Sequence, residues 1–197
     1  MPRGFSENQR QHLQEKLIAS AFDALANTGV RRTTVEDLAR SAGISTGAFY
    51  KFFPSKETLF FVVYDRAEED LKNEFTAFVE PSIEISAIAV RDALKQMLRS
   101  EAMQSLLRLM QKEELDYLLR GVDPKMIAEH LQRDGAFLQN LIEKLSARGL
   151  HVTPDVNRIL SYLQALFVLC AARSQYEPYA SQIIDAFVDT FINEIIA

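Results

Sequence analysis

The chain has 197 residues, 48% of them hydrophobic and 25% charged, with a net charge of −5 and one cysteine. That balance is the balance of a globular protein and excludes fibrous or disordered classes, while the single Cys170 excludes an intramolecular disulfide and a Cys-cluster zinc site. No segment approaches the ~18 uninterrupted apolar residues of a membrane span, and the N-terminus "MPRGFSENQRQHLQEK" has no apolar signal-peptide region, so the expected location is the cytoplasm.

The average charge conceals an asymmetry. Residues 1–56 carry eight Lys/Arg against five Asp/Glu, a net +3, whereas the remaining residues carry 14 against 22, a net −8. A basic head on an acidic body points to a polyanionic partner for the head.

In chain order the patterns are helical throughout. A first helix runs from about Ser6 to Thr28, with Leu17, Ile18, Ala21, Phe22 and Leu25 as its buried stripe. Thr33 and Glu36 have capping-box spacing, which places the start of a short second helix at Thr33 and its end at Gly43. A third short helix starts at Ser45 and ends near Phe53. Ser55 caps a long fourth helix that stops before Pro81. Five more are expected at about 83–100, 102–120, 124–148, 155–174 and 178–196, with Asp123-Pro124 and Thr153-Pro154 as cap and first helical residue. The fold class is therefore all-α with about nine helices.

The segment "TVEDLARSAGISTGAFYKFF" has the layout of a helix-turn-helix. Ala39 is small where two crossing helices approach, Gly43 can take the positive φ of the turn, and Ile44 plugs the unit against Val35, Leu38 and Ala42. Successive helical residues are about 100° apart. This separates Phe49, Phe52 and Phe53, on an inner face, from Thr46, Gly47, Tyr50 and Lys51, on an outer one. The rings are then core rather than a base-stacking platform. The outer face has the chemistry of a major-groove reader. Gly47 allows close approach, Thr46 and Lys51 can contact base edges, and Tyr50 can reach a phosphate. Thr34, Ser45 and Lys56 complete the set, with Thr34 and Lys56 expected at phosphates and Lys56→Ala expected to reduce the salt dependence of binding. Read singly, each of these is an ordinary solvated side chain. They carry the argument only as a set.

The stretch "TTVEDLARSAGISTGAFYKFFPSKETLF" resembles the DNA-binding domain of the TetR family of bacterial transcriptional regulators, through Thr33-Thr34, Ala42-Gly43, Tyr50, Phe52-Phe53 and Lys56. The match covers roughly residues 13–60, and Phe52 stands where that family often has His or Tyr. The resemblance implies a DNA-binding domain at 1–56, with its helix-turn-helix at about 34–53, and an effector-binding and dimerisation domain at 57–197. It also implies a homodimer on a palindromic double-stranded operator, associated with the nucleoid when bound, and a repressor released by a small-molecule effector.

Two features bear on the dimer and effector independently. The segment "YLQALFVLCAA" is apolar nearly all round, and the last helix carries two adjacent apolar rows. Phe167, Ile184, Phe187, Val188, Phe191 and Ile195 are accordingly expected at a dimer interface. Met103, Leu107, Met110, Phe137 and Leu141, with Arg108 and His130 as polar anchors, are candidates for a hydrophobic effector pocket, against the plainer reading that all are core. His130 has no metal-ligand pattern around it, so no metal, cofactor or catalytic constellation is expected, and Cys170 reads as a buried inert thiol. The alternatives are an all-helical ligand carrier or enzyme with a vestigial helix-turn-helix, and a DNA-binding regulator with no effector.

Overall fold

The computed structural model describes residues 6–78, 85–100, 103, 106–107 and 112–196. Among them the helices are α1 (Glu7–Asn27), α2 (Val35–Ala42), α3 (Thr46–Phe49), α4 (Lys56–Phe78), α5 (Ala87–Arg99), α6 (Lys112–Arg120), α7 (Pro124–Ala147), α8 (Val156–Ala171) and α9 (Ala180–Ile195), with a short 3-10 turn at Arg173–Gln175. None is long and apolar enough to cross a membrane.

The local signals act largely where the sequence places them. Ser6 and Gln9 close a capping box on α1, and Asp123 caps α7 with Pro124 as its first residue. Ser55 Oγ accepts from the Thr58 amide at the head of α4. Two caps shift. Asp155, not Thr153, is the N-cap of α8, accepting from the Arg158 amide, so Pro154 lies before the helix rather than at its first position. Thr34, not Thr33, is the N-cap of α2, accepting from the Asp37 amide, while Thr33 is buried and donates its hydroxyl to the Gly29 carbonyl at 2.7 Å. Two adjacent threonines offered the same chemistry, and the tertiary fit of Thr33 beneath the loop decided between them.

Two hydrophobic clusters organise the chain. The first joins Leu17, Ile18, Leu25, Leu38, Phe49, Phe53 and the early α4 residues Leu59, Phe60, Phe61 and Val63, and it takes in Leu118 and Val122 from much later in the sequence. The second gathers Leu71, Leu94, Leu98, Leu138, Ile142, Leu166, Val188 and Phe191 from α4, α5, α7, α8 and α9. Helix α4 serves both, so the boundary expected at residue 56 falls at the start of a helix whose first two turns still pack with the helix-turn-helix. Arg66 on α4 and Glu15 on α1 brace the first cluster with paired bonds of 2.7 and 2.9 Å. At the other end, Thr153 donates to the Ile195 carbonyl at 2.8 Å, tying the end of α9 to the α7–α8 connection.

The last helix departs from expectation. Val188, Phe191 and Ile195 are buried within their own chain, while Phe167, Ile184 and Phe187 are half-buried against the second cluster. Most of the double apolar row is therefore covered by α5 and α8. The apolar side chains left in the open on α8 and α9 are Leu160, Val168 and Ile183, with Tyr179 just before α9.

Candidate nucleic-acid interface

Helix α2 is amphipathic, and it buries Leu38, Ala39 and Ala42 against α1 and α3. Gly43 follows at φ 74°, a left-handed conformation that L side chains rarely adopt, and its amide returns to the end of α2. Ser45 then caps α3 through the Ala48 amide at 3.2 Å. Helix α3 is only one turn long, and a further turn carries the chain through Phe52. Even so, the expected two-sided division holds. Phe49 is fully buried and Phe53 nearly so, with ring centroids 6.1 Å apart, and Phe52 is half-buried. Ser45, Thr46, Gly47, Tyr50 and Lys51 are exposed, and Tyr50 stands edge-on to Phe49 at 5.4 Å. A one-turn helix has little stability of its own. Its orientation comes from the buried rings behind it.

A groove of about 400 Å³ lies beside this face, lined by Arg31, Thr34, Tyr50, Ser55, Lys56 and Glu57 among others. Three of the expected DNA contacts, Thr34, Tyr50 and Lys56, thus share one concavity, but two of them are committed elsewhere. The Thr34 hydroxyl donates to Asp37 and accepts the Asp37 amide, a pairing that holds the Asp37 carboxyl below its ordinary range. The Lys56 ammonium donates to the carbonyls of Val30, Arg31 and Thr33 at 2.8, 3.2 and 2.8 Å. All three of its protons are used. The expectation that Lys56 grips a phosphate gives way to a structural role, which is to close the loop between α1 and α2.

The same loop is also held by α6, from the other half of the chain. Glu114 of α6 accepts the amides of Val30 and Arg31 at 2.7 and 3.2 Å. Tyr117 lies beneath Lys56 and Arg31, with the cations 5.1 and 5.9 Å from its ring, and its hydroxyl bonds Glu57, which raises the phenol pKa. At the end of α6 the Glu57 side chain packs so closely on Gly121 that a Cβ there would stand 2.4 Å from Glu57 Cγ. None of Glu114, Tyr117 and Gly121 was expected at this site. Pairings over 84 residues leave no periodic signal in a sequence, and glycine at a helix end has its own sufficient explanation.

His130 also departs from expectation. It does not anchor an apolar pocket, nor does it stand alone. It is buried between α4 and α7, with Nδ1 2.8 Å from Asp65 and Nε2 3.2 and 3.3 Å from Glu68 and Asp134. Arg133 pairs with Asp65, Lys72 pairs with Glu68 and Asp134, and the rings of Phe61 and Tyr64 pack at 5.5 and 5.4 Å. Glu68, His130 and Asp134 could converge on a metal ion. Lys72, 2.6 Å from Asp134 and 3.1 Å from Glu68, already supplies positive charge there. Of the other effector-pocket candidates, Met103 and Leu107 are buried core, Phe137 and Leu141 are half-buried against it, and Arg108 and Met110 lie outside the described residues. Cys170 is buried as expected, which pushes its thiol up to about 11.

The hydrogen bond to Glu68 raises the His130 pKa above its ordinary 6.5 against the opposing effect of burial, with the Asp65 bond and the charges of Glu68 and Asp134 adding to it. For Asp65 and Glu68 burial pushes the other way, but the bonds to His130 and the neighbouring cations outweigh it and hold both carboxyls low. The stabilisation from charged His130 is complete below its unfolded pKa and is lost as pH rises through the folded one. That from the carboxylates is lost as pH falls through their lowered values. The melting-temperature advantage of wild type over His130→Gln should therefore shrink as pH rises above the ordinary histidine value of 6.5 and through the raised folded one. A constant difference across that range would contradict the assignment.

Comparison with known proteins agrees with this architecture. The family model described as "Bacterial regulatory proteins, tetR family" matches residues 17–63. The nucleoid occlusion factor SlmA of Haemophilus ducreyi is 35% identical over 79 residues, which cover 39% of this chain and 37% of that protein. The match thus spans little more than a third of that curated relative. A fatty acid metabolism regulator protein of Bacillus subtilis is 27% identical over 125 residues, 57% of this chain and 63% of that one. In overall fold the chain is similar to a TetR-family transcriptional regulator from Mesorhizobium loti, with a TM-score of 0.66 at 22% identity, covering 97% of this chain and 100% of the other. Residues 17–63 thus carry a helix-turn-helix of the tetR type, and the all-helical chain shares the fold of TetR-family regulators.

Proposed function

We propose that this regulator is a repressor that binds a palindromic operator as a homodimer, reading bases through Thr46, Gly47 and Lys51 and phosphates through Ser45 and Tyr50. The observation that carries the reading is the exposed, outward set on α3 backed by the buried Phe49 and Phe53. It works in the cytoplasm, on the nucleoid when DNA-bound. In the dimer the open apolar side chains Leu160, Val168, Tyr179 and Ile183, with Phe167, Ile184 and Phe187 beside them, meet a second copy. Val188, Phe191 and Ile195 act as the packing beneath that surface.

A small hydrophobic effector releases the DNA. Support for this part comes from the name of the Bacillus subtilis relative, a fatty acid metabolism regulator, and from a cavity of about 30 Å³ in the second cluster. The cavity has an apolar floor of Leu98, Leu107, Cys170 and Ile184 and is edged by Lys95, Arg99 and Arg173. That volume holds about one water, so an effector would have to enlarge it, which gives ligand binding a route to displace α5, α8 or α9.

Lys51→Ala should change which sequences are recovered from a random DNA pool, with loss at one position of each half-site, because a good base contact is worth about 1–3 kcal/mol of discrimination. Equal weakening on all sequences would remove Lys51 from base reading and leave it a phosphate contact.

A further inference from the structure

The geometry points to Arg10 as a positioning residue for DNA recognition, acting through the turn that carries Tyr50 and Lys51. The inference rests on the DNA-reading role proposed for that turn. Arg10 lies in the first turns of α1, outside the expected DNA contacts. Its guanidinium does two things at once. One terminal nitrogen donates to the Lys51 carbonyl at 3.2 Å, and the group lies over the Phe52 ring with Cζ 5.7 Å from the centroid.

The place matters because the backbone there has little support of its own. The regular helix ends at Phe49, and the chain continues in a turn closed by the amides of Lys51, Phe52 and Phe53 on the carbonyls of Ala48 and Phe49. The Lys51 carbonyl lies beyond those bonds, and Arg10 reaches it across 41 positions of sequence. Phe52 is half-buried, so a planar cation laid on its ring also covers apolar surface. Guanidinium suits both tasks, because its face can stack while its edge donates. An ammonium, a compact point charge, cannot do both in one geometry. The bridge fixes the end of the DNA-reading turn to α1, whose Leu17, Ile18 and Ala21 are set in the first cluster. It thereby holds the Lys51 backbone while leaving the Lys51 side chain exposed.

Positioning and direct phosphate contact make different predictions. In the free protein, Arg10→Ala should speed amide hydrogen exchange at Lys51, Phe52 and Phe53 several-fold, with exchange in the α1 core unchanged. On DNA, Arg10→Ala and Arg10→Lys should both lower the ratio of operator to non-specific affinity by about fivefold to tenfold, part of what one lost base contact would cost. The slope of log affinity against log salt should stay at its wild-type value. A slope reduced by about 0.9, with restoration by Arg10→Lys, would make Arg10 a phosphate contact and overturn the inference. Unchanged exchange in Arg10→Ala would overturn it whatever the DNA result. If exchange quickens but wild type itself prefers no DNA sequence, the bridge stands as a structural brace while its recognition role and the DNA-reading proposal both fall.

Discussion

Phe49→Ala is expected to cost about 3–5 kcal/mol of stability, the range for removing a buried aromatic ring, and to abolish sequence-specific DNA binding. Phe49 is fully buried, touches Phe53 and Tyr50, and sits where α1, α2 and the start of α4 converge. Helix α3 is a single turn, so the ring is its main attachment. The loss should fall on the first hydrophobic cluster, seen by urea titration as early unfolding of the N-terminal half. A conservative Phe49→Leu should cost far less and retain binding, which separates loss of packing from loss of a base contact. If Phe49→Ala kept both stability and specificity, the inner-face assignment would be wrong.

Lys56→Ala is expected to cost about 2–3 kcal/mol, because hydrogen bonds to a charged group are worth roughly 1.5–3 kcal/mol each and half-exposure lets water replace part of the loss. Three carbonyls of the α1–α2 loop lose their donor together. Below the melting transition, DNA affinity should fall modestly, and the salt slope should match wild type. A phosphate contact would instead lower that slope by about 0.9 while leaving stability nearly unchanged. Lys56→Gln, which keeps an amide donor, should recover part of the stability. The two measurements therefore decide between the loop-closing role and the one the sequence alone suggested.

The contrast between these two residues shows what a sequence can carry. Phe49 was legible because helix geometry is local. A 100° step separates the ring from Tyr50 and Lys51 with no knowledge of the rest of the chain. The caps at Ser55 and Asp123 and the stop at Gly43 were legible for the same reason. The carbonyl bonds of Lys56 were not legible, because its partners lie 23 to 26 residues away in a loop whose path depends on how α1 and α4 pack. A lysine at a helix start beside a DNA-reading unit suggests an anion. The nearer carbonyls won.

The same limit applies to the body of the chain. Two adjacent apolar rows on the last helix exceed one core-facing stripe, which suggested a partner subunit. Val188, Phe191 and Ile195 nevertheless found cover within the chain, because α5 and α8 flank α9. Periodicity counts apolar faces and does not say which helix covers each one. His130 is similar. Asp65 and Glu68, in the middle of α4, lie more than 60 positions from it, and only the packing of α4 against α7 makes them its partners. Glu114 and Gly121 join the two halves by contacts of the same kind.

On the proposed function, the exposed face of α3 reads DNA in a two-fold arrangement. Selection of bound fragments from a random double-stranded pool by the purified wild-type chain tests it most directly. An inverted repeat whose half-sites are about one or two helical turns apart should be enriched. Recovery of unrelated sequences with no shared half-site, or of a motif without two-fold symmetry, would contradict it.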